Sequence, residues 1–296
     1  MPTASVVVPT FGRPHQVAEC VRALREMDYP ADRLEIVVVD DGSPTALNLG
    51  MGAAGGPTVR LIRQENAGPA RARNEGAAVA TGEILAFTDD DCRPHPHWLR
   101  HLASAVARDP DALVGGHTVN ALSGNLLAQA SQTLVDFLYE SFPSTRALRP
   151  FFTSNNIATS AAAFRAVGGF DETFRYSAGE DRDLSERWAA RGRLRYVPEA
   201  LIRHHHALSP GRFLLQHHMY GRGAIHLARR RRMRGEPPPS VEPLSFYLRM
   251  LAFPVRKHGP ARGAAVAGLL AVSQMASLTG VLTEFFRPSG EPGADG

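Results

Sequence analysis

Short apolar runs and amphipathic stretches alternate along the first third of the chain. Residues 5–8, 35–39, 59–62 and 83–87 are aliphatic, largely β-branched runs of strand length. Residues 14–27 and 69–80 each open on a proline and predict helices. Runs of this kind suit strands covered on both faces of a mostly parallel sheet, so the alternation predicts a doubly wound α/β domain. From residue 111 to 203 the elements shorten: a helix over 126–139, a turn at 168–171, a helix over 180–190 opened by acidic residues, and two strands, 195–197 and 200–204, flanking Pro198. Beyond residue 209 the pattern turns helical, with Gly and Pro punctuation at 235–239 and 259–260. Residues 263–283 carry no charge, and roughly 20 apolar residues can cross a bilayer. Their many Ala, Gly, Ser and Thr residues predict a packed or membrane-surface helix instead.

With 296 residues and 44% hydrophobic content, the chain can build one large α/β domain and an appendage. Cys20 and Cys92 lie far apart without metal-ligand spacing, and no apolar leader precedes the first strand, so a reducing cytoplasm is the expected location. The net charge of +4 is unevenly spread, with arginines at 229–232 and 234. They form either a solvated helix end or a contact for anionic lipid or phosphate. Without aromatic interleaving they do not predict nucleic-acid binding.

Three predicted strands end in polar residues: Pro9, Thr10 and Arg13; Asp40 and Asp41; and Asp89, Asp90 and Asp91. In open α/β sheets, ligands bind beyond such carboxyl ends. Three adjacent carboxylates are costly unless a cation or hydrogen-bond donors offset them, and a hard divalent metal shared with substrate phosphates meets that need.

The runs VVVPTFGRP, EIVVVDDGS, RQENAGPARARNEGAAVATGEILAFTDDD, GGFDETF, GEDRDLSERWAARG and VPEALIRHH follow one another across residues 4–206. Together they closely resemble glycosyltransferase family 2, of the GT-A fold. The resemblance implies a domain over residues 1–208 with a Rossmann-like nucleotide-binding half, and a helical region over 209–296. It also implies inverting transfer of a sugar from a nucleotide-sugar donor to a saccharide or lipid-linked acceptor, using Mg2+ or Mn2+. Polysaccharide or glycolipid biosynthesis at the inner membrane face is the expected setting. Position by position, the resemblance places Pro9, Thr10, Arg13, Asp40, Asp41, Asn66, Gly68, Arg71, Arg73, Asn74, Asp89 and Asp90 around the donor. It makes Asp91 the metal ligand, with Asp89 and His204 beside it, and Asp181 the general base. Glu180, Arg187 and Trp188 would border the acceptor or diphosphate.

Consecutive strand residues point to opposite faces, so His204, His205 and His206 cannot all serve one ion. His217, His218 and His226 lie at helical spacing without carboxylates and read as packing residues, and Cys92 lacks a nearby base in sequence. Two other functions compete. A nucleotidyltransferase would carry a glycine-rich basic loop after the first strand, where this chain has PTFGRP. A non-catalytic sugar-nucleotide-binding protein would not require the intact Asp89, Asp91 and Asp181.

Overall fold

The computed structural model describes residues 1–49, 55–142, 149–176 and 178–287. The alternating half comprises β1 (Ala4–Thr10), α1 (Pro14–Arg25), β2 (Leu34–Asp40), β3 (Thr58–Arg63), α2 (Pro69–Val79), β4 (Ile84–Phe87), β5 (Cys92–Pro94) and α3 (Trp98–Arg108). Next come β6 (Leu113–Asn120), α4 (Leu126–Ser141), β7 (Ile157–Ser160), α5 (Ala161–Val167), α6 (Glu180–Ala189) and β8 (Leu194–His204), then α7 (Pro210–Met233), α8 (Leu244–His258) and α9 (Pro260–Phe285).

The strands form one sheet in the order β3-β2-β1-β4-β7-β6-β8-β5. The first four run parallel, as predicted, whereas β7 pairs antiparallel with β4 and β6, and β5 antiparallel with β8. Alternation along the strands builds two layers. Val6, Val8, Ile36 and Val38 face α1 and α3, while Val7, Val37 and Val39 face α2 and share a core with Phe87, Phe170 and Trp188.

The two strands expected around Pro198 are one strand, β8. Its pairing with β6 jumps from Gly116 opposite Val197 to His117 opposite Leu201, leaving Pro198 inside a bulge. There its missing N–H breaks no ladder hydrogen bond.

Helices α7, α8 and α9 enclose a third core with α4, built from Phe137, Phe213, Phe246, Met250, Phe253, Val266 and Leu270. The arginine run is mostly paired with acids, although only Arg231 is buried. Arg229 pairs with Glu284 at 2.7 Å, Arg230 with Asp171 at 2.6 Å, Arg234 with Asp183 at 2.6 Å, and Arg231 makes a two-pronged, buried pair with Glu186. The run chiefly fastens α7 to α6 and α9, and Arg232 is its one exposed arginine without an acidic partner among the described residues.

Candidate active site

The parallel strands β1, β2 and β4 deliver their carboxyl ends to one edge of the sheet, and the three polar segments meet there. Thr10 Oγ1 donates to Asp90 Oδ2 at 2.7 Å, and Arg13 Nη1 donates to Asp90 Oδ1 at 3.1 Å and Asp91 Oδ2 at 3.3 Å. Burial pushes the Asp90 carboxyl up to about 6 against the opposing pull of Arg13. The middle acid of the triplet is therefore anchored to the first loop, and Thr10 and Arg13 are the residues that anchor it.

Asp91 receives more support. His204 Nε2 lies 3.0 Å from Oδ1, and His206 Nδ1 lies 3.3 Å from Oδ2. The two imidazoles stack with centroids 4.9 Å apart. Burial opposes the charge of Asp91, but the histidines hold its carboxyl well below the usual range, and Asp91 in turn raises His204. One histidine was expected here and two are present, because residues two apart on an extended segment share a face. His206 is itself held from a distance: its Nε2 meets Gln216 Oε1 at 2.8 Å, and Gln216 Nε2 donates to Tyr220 Oη at 2.7 Å. Both partners come from α7, and no sequence motif marks them.

Donor atoms of Asp91, His204 and Cys92 lie within 4.8 Å of one another. A carboxylate and an imidazole on one face can hold a divalent ion. The Cys92 thiol is fully buried, and burial pushes it well above its ordinary value. Asp89 is not gathered into this group, contrary to expectation. Its Oδ1 accepts from Arg73 Nη2 at 2.7 Å, and the same guanidinium reaches Glu180 Oε1 at 3.3 Å. Arg73, 2% exposed, thus ties the end of β4 to the start of α6.

Glu180 and Asp181 open α6, where the helix N-terminus favours anions. Burial and the neighbouring Asp181 charge push Glu180 up to about 7, with Arg73 opposing; burial also raises Asp181. Asp181 Oδ1 accepts from the Arg182 backbone N–H at 2.7 Å, and Glu180 Oε2 is buried without a hydrogen-bond partner among the described residues. Arg182 lies over the Phe151 ring at 4.3 Å beside this pair.

Other expected contacts hold the scaffold. Asp40 Oδ1 accepts from Ser43 N at 2.9 Å, and its other oxygen lies 3.6 Å from Arg63. Asp41 accepts from the backbone N–H groups of Ala67 and Gly68, both at 2.9 Å, and from Gln64 Nε2 at 2.7 Å, while Asn66 Nδ2 donates to its carbonyl at 3.0 Å. Asp41 therefore shapes the loop entering α2. Gly68 lies at φ +94°, and a side chain there would strike the Arg175 carbonyl. Asn74 clamps Phe170 through both backbone groups at 2.9 Å, and Arg71 lies 3.7 Å from Glu75. Pro9 is buried within β1.

Arg187 and Trp188 depart from their expected place near the diphosphate. Arg187 spends its donors on Asp183 Oδ2 at 2.7 Å, Val167 O at 3.0 Å and Gly169 O at 2.7 Å. Trp188 is core, its Nε1 donating to Asp111 O at 2.8 Å. His217 is likewise buried, pushed down to about 4 by desolvation, and His218 and His226 meet Thr279 and Thr173. A groove of about 670 Å3 beside α3 and β8, lined by Arg108, Arg195 and Tyr196, contains none of the expected site residues.

A family model described as glycosyl transferase family 2 matches residues 5–170. The pre-mycofactocin glycosyltransferase of Mycobacterium tuberculosis is 31% identical over 230 residues, covering 76% of this chain and 47% of that protein. The chain spans about half the length of the curated relatives it matches. Among solved structures, the mannosyltransferase PcManGT from Pyrobaculum calidifontis, in complex with GDP-Man and Mn2+, superposes with a TM-score of 0.63 at 19% identity, covering 96% of this chain and 87% of that one. GalNAc-T7 with UDP, GalNAc and Mn2+ gives 0.54 at 17% identity, covering 88% and 58%. These structural likenesses are of fold.

Proposed function

Because the chain belongs to glycosyltransferase family 2, we propose that it transfers a sugar from a nucleotide-sugar donor to an acceptor hydroxyl with inversion at the anomeric carbon. The observation that carries this reading is the convergence of Asp91 and its two histidines with the Arg73-linked Glu180 and Asp181 at the carboxyl end of the parallel strands. Both solved neighbours above hold a nucleotide with Mn2+, which supports a metal-assisted donor site.

Asp91 and His204 would hold the divalent ion, which when bound offsets negative charge on the departing diphosphate. Arg13, at 3.1 Å from Asp90 with its side chain 45% exposed, supplies further positive charge at the cleft. Asp40 and the Asp41-shaped loop border the nucleotide. Asp181 takes the proton from the acceptor hydroxyl as that oxygen bonds to the anomeric carbon from the face opposite the diphosphate. The nucleoside diphosphate departs with the bonding electron pair. The Asp181 carboxyl, raised by burial against the opposing pull of Arg73, is a stronger base than an exposed aspartate. The acceptor is a saccharide or lipid-linked hydroxyl, in polysaccharide or glycolipid assembly at the cytoplasmic membrane face.

A panel of sugar nucleotides, each with and without Mn2+ or Mg2+, tests the donor site by melting temperature. One nucleotide series should raise it in a metal-dependent way; none doing so would overturn the reading. With the donor identified, Asp181→Asn should lower transfer by about 100-fold or more while retaining the donor-induced shift. Near-normal turnover in that variant would remove Asp181 from the role of base.

A further inference from the structure

We propose that the outer face of α9 docks flat on an anionic phospholipid bilayer. Val272, Met275, Leu278, Leu282 and Phe285 recur every three or four residues along this helix, followed at once by Phe286, each between 44% and 75% exposed. No charged side chain interrupts residues 263–283. A contiguous exposed apolar stripe of this length marks a contact surface. On α8, which packs beside α9, Leu244, Leu248 and Val255 are exposed as well.

The helix lies along the bilayer because its inner face is committed elsewhere. Val266 and Leu270 are wholly buried in the core shared with α4, α7 and α8. Glu284 accepts from Arg222 at 3.1 Å and Arg229 at 2.7 Å. Crossing would strip α9 from these partners and open the Phe213 and Met250 core. A helix with one packed face and one apolar free face is suited to the interface plane.

Charge selects lipid over a second copy of this chain. Many of the Lys and Arg residues in 210–287 are already paired with acids, among them Arg222, Arg229, Arg231, Arg256 and Lys257. Arg212, Arg232 and Arg249 are exposed and have no acidic partner among the described residues. A two-fold interface would bring this basic surface against itself, whereas an anionic leaflet neutralises it. The inference deepens the reading above by naming the surface on which a lipid-linked acceptor would be met, and in that consequence alone it rests on that reading.

The test is co-sedimentation of the full chain with vesicles of phosphatidylcholine alone or mixed with phosphatidylglycerol. Binding is expected only to the mixed vesicles, and should weaken at high salt. Met275→Glu with Leu282→Glu should lower partitioning at least tenfold, while melting temperature and any donor-induced shift stay unchanged. Arg212→Glu with Arg249→Glu should weaken binding without touching the apolar stripe. The proposal is overturned by equal binding to neutral vesicles, by failure of the folded chain to bind either, or by a dimer in sedimentation velocity that the same glutamates abolish. Release only by detergent would overturn the flat orientation. Donor binding is read separately throughout, so failure at the membrane and failure of the donor site remain distinguishable.

Discussion

Arg73 shows how one residue sets the electrostatics of this site. Its wholly buried guanidinium lies between Asp89 and Glu180, which would otherwise be two uncompensated carboxylates. Glu180 nevertheless sits at about 7 against an ordinary 4.5, facing Asp181, Arg73 and Asp89. Because the folded state keeps a proton that the unfolded chain has lost, this group's contribution to stability falls as pH rises from about 4.5 to 7 and is level above. Because burial also raises the Asp181 carboxyl, transfer should move the opposite way, rising with pH as that base loses its proton. In Asp181→Asn, the negative neighbour that burdens Glu180 is gone, so the Glu180 carboxyl should titrate at lower pH when followed by NMR. An unmoved titration would show that the two carboxyls are not coupled. The acids themselves were legible in the sequence, as was the pairing of His204 with Asp91. The link between Asp89 and Glu180 was not, because it runs through an arginine in a helix whose own motif pointed to the donor.

At the scale of elements, α7 is the connector between the sheet and the C-terminal helices. It reaches the acidic cluster through Gln216 and Tyr220, and holds α6 through Arg231 and Arg234. It meets α9 backbone against backbone at two glycines, since a methyl at Gly221 would strike the Ser277 carbonyl and one at Gly280 the His218 carbonyl. Gly221→Ala should therefore destabilise the protein by about 1–3 kcal/mol in denaturant unfolding, the usual cost of overpacking. No loss would mean that α7 and α9 can separate freely. The helical character of both was readable from spacing and punctuation. Their close approach was not, because a glycine in a helical pattern does not say what backbone lies opposite it.

Over the whole molecule, the C-terminal helices share a hydrophobic core with α4. Removing everything after Ser209 would expose Phe137 and Leu208 and leave His206 without Gln216. A chain ending there should melt well below the full chain or aggregate, and should lose the metal-dependent donor shift; a stable, donor-responsive fragment would show the helices to be dispensable. The sequence by itself determined the parallel half of the sheet, the family, and the acidic strand ends, since apolar runs and local motifs need no distant partner to be recognised. Only the tertiary structure decided that β7 inverts the sheet's direction, that Pro198 sits in a bulge, and that most of the arginine run pairs with distant acids. It likewise put Arg187 and Trp188 into the scaffold and split the acid triplet, with Asp89 on Arg73, Asp90 on Thr10 and Arg13, and Asp91 on two histidines. The physical reason is common to all of these: a charge or hydrogen-bonding group is neutral as to its role until the fold supplies the partner that satisfies it, and here those partners lie many residues away along the chain.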